Sequence, residues 1–173
     1  MTNSVNITRD EAQQRSRLIT SHACRVTVDL TGRGVDDEPL ADPTGTFIST
    51  STVQFASEEG RSWLDLIADE VIDAWLDGVQ LPKDAHDGYR LALDLSSGEH
   101  QLTVIALCRY SRTGEGLHRF VDPVDDKVYL YTQFETADAR RMYGCFDQPD
   151  LKATFELTVK APENWKVYSN TRA

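Results

Sequence analysis

The sequence predicts an all-β protein, either a β-sandwich or one large curved antiparallel sheet. Two observations lead to this fold class. Apolar and polar residues alternate through most of the chain, which is the period of half-buried strands, and turn signals separate these stretches. Helical signals are confined to two short segments, one near the N-terminus and one at about residues 136–143.

The N-terminal helix is predicted to run from about Arg9 to Ile19. Thr8 and Glu11 have the spacing of a capping box, in which each side chain accepts a hydrogen bond from the backbone N–H of the other residue. The segment is strongly polar. We therefore expect the helix to lie on the surface or to pack against another part of a larger protein.

The turn signals after this helix indicate eight or nine strands. Asp77-Gly78 lies between two apolar runs and is the strongest hairpin signal, and the longest loop, TGRGVDDEPLADPTG, follows the first strand. The segments with the strand pattern are CRVTVDL, TFISTSTVQFA, EVIDAWLDGVQL, YRLALDL, QLTVIALCRY, KVYLYTQFE and ATFELTV. The alternation assigns to apolar faces Cys24, Val26, Val28, Leu30, Tyr89, Leu91, Leu93, Leu95, Leu102, Val104, Ala106, Cys108, Tyr110, Ala153, Phe155, Leu157 and Val159.

Length and charge limit the possible classes of protein. The 173 residues are enough for one domain, in which residues 1–20 form an arm and helix and residues 22–173 form the β-sheet domain. The net charge of −10 argues against a nucleic-acid binder, because phosphate contacts need a basic surface. The same charge argues against docking on anionic membranes, and no apolar run approaches the roughly 18 residues of a membrane span.

Three cysteines, Cys24, Cys108 and Cys145, bear on the cellular compartment of the protein. Their number is odd and no two form a CxxC pair, which fits reduced thiols better than a disulfide framework. The N-terminus has no apolar stretch of a signal peptide. The sequence therefore predicts a cytoplasmic protein with Cys24 and Cys108 buried, and leaves Cys145 either packed or partly exposed.

No complete catalytic site is recognisable. None of the four histidines belongs to an HExxH, HxH or CxxC…H pattern, so no metal site is predicted in this chain. A GxSxG elbow and a glycine-rich phosphate loop are also missing from the sequence. Asp and Glu total 28, so chance pairs of carboxylates are expected and predict nothing.

The segment KVYLYTQFE concentrates polar chemistry on one predicted strand. Side chains of a strand alternate between faces, so the polar face carries Tyr129, Tyr131, Gln133 and Glu135. Two acceptors beside aromatic rings suit a ligand ammonium group, because a carboxylate supplies charge, an amide oxygen directs a hydrogen bond and a ring adds a cation–π contact. From the pattern alone, however, a solvated outer face is the more common explanation.

The connection DARRMYGCFDQPD also has two explanations. Arg140 and Arg141 can pair at the surface with Asp138, Asp147 or Asp150, where such pairs contribute little. Alternatively, a short helix followed by a glycine and a Gln-Pro turn is a structured connection that fixes the end of the preceding strand.

Residues 116–170, from GLHRFVDP through TQFETADARRMYGCFDQPDLKATFELTV to WKVYSN, resemble the N-terminal domain of zinc aminopeptidases of the aminopeptidase N family, in its bacterial, actinobacterial-type form. The order TQFE, DARR, an aromatic or cysteine before D/E-x-P, K-A-x-F and W-x-V-x-S-N is that of the family. Upstream, AWLDGVQL, TRDEAQQRSRLI and VTVDL resemble the hairpin, opening helix and first strand of the family. The resemblance thus covers nearly the whole chain.

The resemblance implies a saddle-like β domain that covers the active site of a thermolysin-like domain. In such enzymes the zinc ligands and the GxMEN exopeptidase motif lie in that second domain, so this chain is expected to hold no zinc and to be inactive alone. The implied partners are the catalytic and C-terminal domains of the same enzyme and peptide substrates with a free N-terminus, not nucleic acid or membrane. Further strands follow the position of Ser169 in the family, so we expect an uncovered sheet edge or apolar face.

By the same resemblance, Gln133 is a substrate-binding residue whose amide oxygen helps to hold the free α-amine of the substrate. Glu135 is a second amine contact or a support for the site, while Phe134, Arg140 and Arg141 are structural. Two alternatives remain: a non-catalytic β-sandwich binding module that has kept the family fold, and an unrelated interaction domain.

Overall fold

Ten strands and one α-helix make up the computed structural model, which describes residues 6–171. Helix α1 covers Arg9–Leu18, and single 3-10 turns cover Lys83–Ala85 and Ala139–Arg141. The strands are β1 Ile19–Asp29, β2 Thr46–Ser57, β3 Gly60–Asp65, β4 Glu70–Leu76, β5 Val79–Gln80, β6 Arg90–Leu95, β7 Gly98–Arg109, β8 Gly116–Val121, β9 Val128–Gln133 and β10 Thr154–Lys160.

The strands form one six-stranded sheet and two strand pairs. The large sheet has the order β10-β1-β2-β7-β4-β5, with β10 parallel to β1 and every other neighbour antiparallel. The pairs are β3–β6 and β8–β9. This mostly antiparallel, strand-rich architecture confirms the predicted all-β fold class.

The core is built from alternate residues of β1 and β7 in the large sheet and of β6 in the β3–β6 pair, as the alternation predicts for these three strands. The buried apolar residues of these strands include Val26, Val28, Leu91, Leu93, Leu102 and Val104. Tyr89 is an exception, since it precedes β6 and is 39% exposed. Its backbone N–H bonds the Asp87 side chain at 2.9 Å, so it belongs to the turn before the strand.

Local signals predicted two further features correctly. Thr8 Oγ1 accepts from the Glu11 N–H at 3.3 Å, and the Glu11 carboxylate accepts from the Thr8 N–H at 2.8 Å, which completes the capping box. Asp77 and Gly78 both have positive φ, 52° and 81°, as a two-residue hairpin turn between β4 and β5 requires.

The second helix is shorter than the predicted 136–143 segment. Only Ala139–Arg141 form a 3-10 turn, and Asp138 before it has a non-helical φ of −117°. The Arg140 N–H donates to the Asp147 carboxylate at 3.1 Å, so a side-chain acceptor takes the place of a helical carbonyl. This tertiary contact therefore limits the length of the second helix.

Strands β3 and β8 were not recognised in the sequence, and β10 is less buried than its pattern predicts. The register opposite Cys24 and Val26 puts Phe155 and Leu157 on the core side of the sheet. They are nevertheless 51% and 40% exposed, because β10 is the outermost strand of the described sheet and has only β1 beside it. Phe155 and Leu157 thus lie at an exposed edge of the described sheet.

Candidate functional site

The candidate site lies on the β8–β9 hairpin. The two strands pair antiparallel, with Gly116 opposite Gln133 at the end nearest the body of the domain. Leu117 is buried and Leu130 packs against the core, so this face holds the hairpin to the domain. The opposite face of the hairpin therefore points away from the core.

Four rings cover the outward face. Across the strands, His118 pairs with Tyr131 and Phe120 pairs with Tyr129, with ring centroids 4.8 and 5.5 Å apart. Phe120, Tyr129 and Tyr131 are 39, 42 and 47% exposed. We call His118, Phe120, Tyr129 and Tyr131 the aromatic face. The sequence revealed only its two tyrosines, because β8 was not recognised as their partner strand.

Gln133 continues the row of Tyr129 and Tyr131 at the end of β9, as predicted, and it is exposed. Its Oε1 accepts a hydrogen bond from the Phe134 N–H at 3.0 Å. An amide oxygen has two acceptor positions, so one remains for a ligand. The contact also limits the freedom of the side chain beside the strand end.

Glu135 does not lie in the same strand, which corrects the predicted row. β9 ends at Gln133 because its partner there, Gly116, is the first residue of β8. The chain then turns, with a cis peptide bond between Glu135 and Thr136, and the Asp138 N–H closes the turn on the Phe134 carbonyl at 3.0 Å. Glu135 is exposed in this turn. It follows Gln133 by two residues in the chain but no longer belongs to the alternation of β9.

Arg141 packs behind this turn. A Cβ on Gly116 would lie 2.7 Å from the Arg141 Cβ, and Gly116 has a φ of +66°, so glycine permits the close approach of hairpin and turn. The Arg141 Nε donates to Asp138 at 2.7 Å, and its Nη2 lies 4.0 Å from Glu115. The pairing with Asp138 is one of the pairs that the sequence allowed for Arg141.

Arg140, by contrast, is buried. It is 3% exposed, and its Nη2 donates to Asn6 Oδ1 at 2.7 Å. Burial is the largest influence on the neighbouring Asp147 carboxyl and raises its pKa, although the Arg140 N–H bonds it. Around Arg140 the connection is thus a structured anchor, whereas Arg141 keeps a partly exposed ion pair with Asp138.

The Gln-Pro turn is tied to helix α1. Gln148 Nε2 donates to the Ala12 carbonyl at 3.0 Å and to Ser16 Oγ at 2.6 Å, while Gln148 Oε1 accepts from Arg15 Nε at 2.9 Å. The same arginine donates from Nη1 to Asp65 at 2.6 Å. Helix α1, which was expected to lie on the surface or to pack against another part of a larger protein, therefore packs on this domain through one buried arginine.

Asp65 is the centre of this buried network. Its carboxylate also accepts from Trp63 Nε1 at 2.9 Å and from the Asp147 N–H at 3.0 Å. The Arg15 guanidinium lies 4.9 Å from the Trp63 ring centroid. The sequence carried no signal for these contacts, because the partners of Arg15 are 50 and 133 residues away in the chain.

The candidate site is an open rim. A cleft of about 270 Å³ lies between β1 and the 139–155 segment, and Gln133 and Glu135 do not line it. Within residues 6–171, no three His, Cys, Asp or Glu side chains lie close enough together to hold a metal ion. In the same part of the chain, no helix has the length and apolar character needed to span a membrane.

Comparison with known proteins places this geometry in a family. Residues 82–173 match the peptidase M1 N-terminal domain. The chain is 49% identical over 170 residues to aminopeptidase N of Streptomyces lividans, covering 96% of this chain and 19% of that protein. It is 40% identical over 79 residues to the probable M1 family aminopeptidase 1 of Encephalitozoon cuniculi, covering 46% and 9% of the two chains. The chain thus spans a fifth or less of these relatives.

Solved structures share the fold. A Deinococcus radiodurans M1 zinc metallopeptidase superposes with a TM-score of 0.61 at 17% identity, over 83% of this chain and 32% of that one. Legionella pneumophila aminopeptidase A, solved with aspartic acid, gives a TM-score of 0.63 at 13% identity, over 82% and 16% of the chains. The resemblance seen in the sequence is confirmed, and the chain belongs to the family of peptidase M1 N-terminal domains.

Proposed function

We propose that this chain is the substrate-amine-anchoring N-terminal domain of a cytoplasmic zinc aminopeptidase, which removes N-terminal amino acids from peptides. The observation that carries the proposal is the exposed rim at the end of β9. An amide acceptor, Gln133, and a carboxylate, Glu135, stand there two residues apart, beside exposed rings. These are the groups that suit an ammonium ion.

The chemistry assigned to this chain is binding and orientation. Glu135 supplies the charge that attracts the substrate ammonium group, and the remaining acceptor position of Gln133 directs one N–H. Hydrogen bonds to charged groups contribute about 1.5–3 kcal/mol each. Holding the amine at a fixed point presents only the first peptide bond for cleavage, which is the requirement of an exopeptidase.

The surroundings of the rim favour this role, because they limit its movement. Arg141 packs against Gly116 behind the turn, and Asp138 bonds both the Phe134 carbonyl and the Arg141 side chain. A group held in advance loses less entropy when it binds its ligand. Buried contacts through Arg140 hold the next part of the connection.

We assign the metal chemistry to another part of the proposed enzyme. The residues of the described segment do not form a ligand set for zinc, so the proposed enzyme needs ligands in another of its domains. The open rim likewise needs a second surface to enclose a peptide. We therefore propose that residues 1–173 alone do not hydrolyse peptides.

The direct test uses the full-length enzyme that carries this domain. Aminoacyl anilides and their N-acetylated counterparts should be compared, because acetylation removes the ammonium group and leaves the scissile bond unchanged. We expect cleavage of the free-amine substrates only, and none by residues 1–173. Equal cleavage of acetylated substrates would exclude the amine anchor, and a full-length protein without zinc or peptidase activity would favour a binding module.

A further inference from the structure

The amine-anchoring role uses at most a cation–π contact from the ring nearest Gln133 and leaves the rest of the aromatic face without a task. Three exposed rings and the half-buried His118 ring pair across the strands on a hairpin whose other face already packs against the core. Large exposed apolar surfaces commonly mark binding sites. On this face the rings lead directly to Gln133, since the pair that follows His118–Tyr131 on the same face of the hairpin is Gly116 with Gln133.

Resting on the amine-anchoring function proposed above, we infer that Tyr131, held against His118, contacts the side chain of the first residue of the substrate. The contact selects aromatic and long aliphatic side chains over alanine. The occupant of this end of the aromatic face is thus the first side chain of the peptide.

Spacing along the strand supports this inference. Tyr131 precedes Gln133 by two residues on the same face, a distance of roughly 6.5–7 Å in an extended strand. The side chain of an amino acid starts at the carbon that carries its amine. With the amine at Gln133, a phenylalanine or leucine side chain reaches the Tyr131 ring, whereas a methyl group does not.

The space across the hairpin from Gln133 is already filled. The Arg141 stem occupies the position beside Gly116, and its guanidinium is engaged by Asp138. A bound side chain is therefore directed along β9 toward Tyr131 more readily than across it.

Tyr131 is held in place for such a contact. Its ring centroid lies 4.8 Å from that of His118 and 6.5 Å from that of Phe120, yet the residue is 47% exposed. The His118 ring is itself fixed, because Nδ1 accepts from the Gly114 N–H at 3.1 Å. A ring supported on one side and open on the other suits an apolar ligand group.

Tyr129 provides a matched control. It lies on the same strand and face and is 42% exposed, close to the value for Tyr131. It stands two residues farther from Gln133, roughly 13 Å along the strand. Its hydroxyl donates to Asp125 at 2.8 Å, and its ring stacks on Phe120. Its removal deletes similar aromatic surface beyond the reach of the first side chain.

The experiment measures kcat/KM of the full-length enzyme for Phe-, Leu- and Ala-p-nitroanilide. In Tyr131→Ala we expect the Phe/Ala and Leu/Ala ratios to fall by roughly 3- to 10-fold, since ring contacts contribute up to about one decade in affinity. In Tyr129→Ala and Tyr131→Phe both ratios should stay within about twofold of wild type. Tyr131→Thr, which suits a strand, repeats the test if the alanine variant folds poorly.

Other occupants of the aromatic face give different results. Equal losses on all substrates with a lower melting temperature in both tyrosine variants would show that the face packs against another part of the enzyme. A change in oligomeric state in both would identify a second copy, and unchanged ratios in Tyr131→Ala would overturn the inference outright.

Failure of the inference is distinguishable from failure of the amine anchor. Gln133→Ala tests the anchor and should lower kcat/KM for the three anilides alike, with their ratios nearly unchanged. Wild-type kcat/KM in both Gln133→Ala and Glu135→Gln refutes the anchor whatever Tyr131 does. A normal loss in Gln133→Ala together with wild-type ratios in Tyr131→Ala refutes only the side-chain contact.

Discussion

Arg15 and Asp65 form a 2.6 Å ion pair whose side chains are 0% and 2% exposed. The pair joins helix α1 to β3, and Asp65 in turn accepts from the backbone of Asp147 in the connection. The polar helix and the polar connection therefore meet in the interior, at a position where a lone charge is strongly destabilising.

The first prediction follows from this burial. Arg15→Met keeps the length of the side chain but leaves the Asp65 carboxylate without its cation, so the free energy of unfolding should fall by about 3–5 kcal/mol. Arg61→Met is the matched control, because the Arg61–Asp94 pair is 2.9 Å long but 88% and 83% exposed. We expect that change to cost less than about 1 kcal/mol. Denaturant titration measures both, and similar losses in the two variants would contradict the role of burial.

The second prediction concerns the amine anchor in the full-length enzyme. Gln133→Ala removes a charge-assisted hydrogen bond, so kcat/KM for aminoacyl substrates should fall roughly 10- to 150-fold. Glu135→Gln removes the charge proposed to face the amine, so kcat/KM should fall by at least the same factor. Zinc content and melting temperature should barely change.

Thr132→Ala is the control for both variants of the rim. Thr132 is exposed in the same strand, but its side chain points to the other face. Its replacement should leave kcat/KM near the wild-type value. Activity within twofold of wild type in Gln133→Ala and Glu135→Gln would leave the rim as an ordinary solvated surface.

The third prediction concerns pH-dependent stability at His100. Its Nδ1 lies 2.6 Å from Asp77 and its Nε2 lies 2.9 Å from the Ser96 carbonyl, and both partners are acceptors, so the charged imidazolium fits. Burial is the largest influence and by itself lowers the pKa of His100. The hydrogen bonds to Asp77 and Ser96, with the charges of Asp77 and Glu99, outweigh it and raise that pKa above 6.5.

A raised pKa in the folded state sets the sign of the effect. The stabilisation by His100 should be fully present below about pH 6.5, the value for an unperturbed histidine, and should be lost as the pH rises through the folded value. Denaturant titrations of wild type and His100→Gln across this range measure it. The difference between the two should shrink as the pH rises, and a difference that grows would refute the assignment.

The fourth prediction concerns the thiols. Burial raises the pKa of Cys24 to about 11, and burial followed by the charge of Asp69 raises that of Cys108 to about 12. At pH 8 the thiolate fraction of Cys24 is then on the order of 10²-fold below that of a free cysteine. Labelling by a thiol reagent should be slow until denaturant is added. Equally fast labelling in the folded state would show that the phases of β1 and β7 are wrong.

The sequence alone determined the features that depend on neighbours in the chain. Helix capping by Thr8 and Glu11, the hairpin at Asp77-Gly78 and the faces of β1, β6 and β7 all follow from spacings of a few residues. The outward placement of Tyr131 and Gln133 on β9 belongs to this group as well. Local backbone preferences and the two-residue period are sufficient for such predictions.

Only the tertiary structure decided which distant groups meet. Glu135 leaves β9 because β8 ends its pairing at Gly116, and His118 supports Tyr131 because the hairpin brings them opposite each other. Arg15 is buried in a polar helix because Asp65 and Gln148 meet it there. Pairing register and the burial of a compensated charge depend on residues far apart in the chain, and no local pattern of apolar and polar residues encodes them.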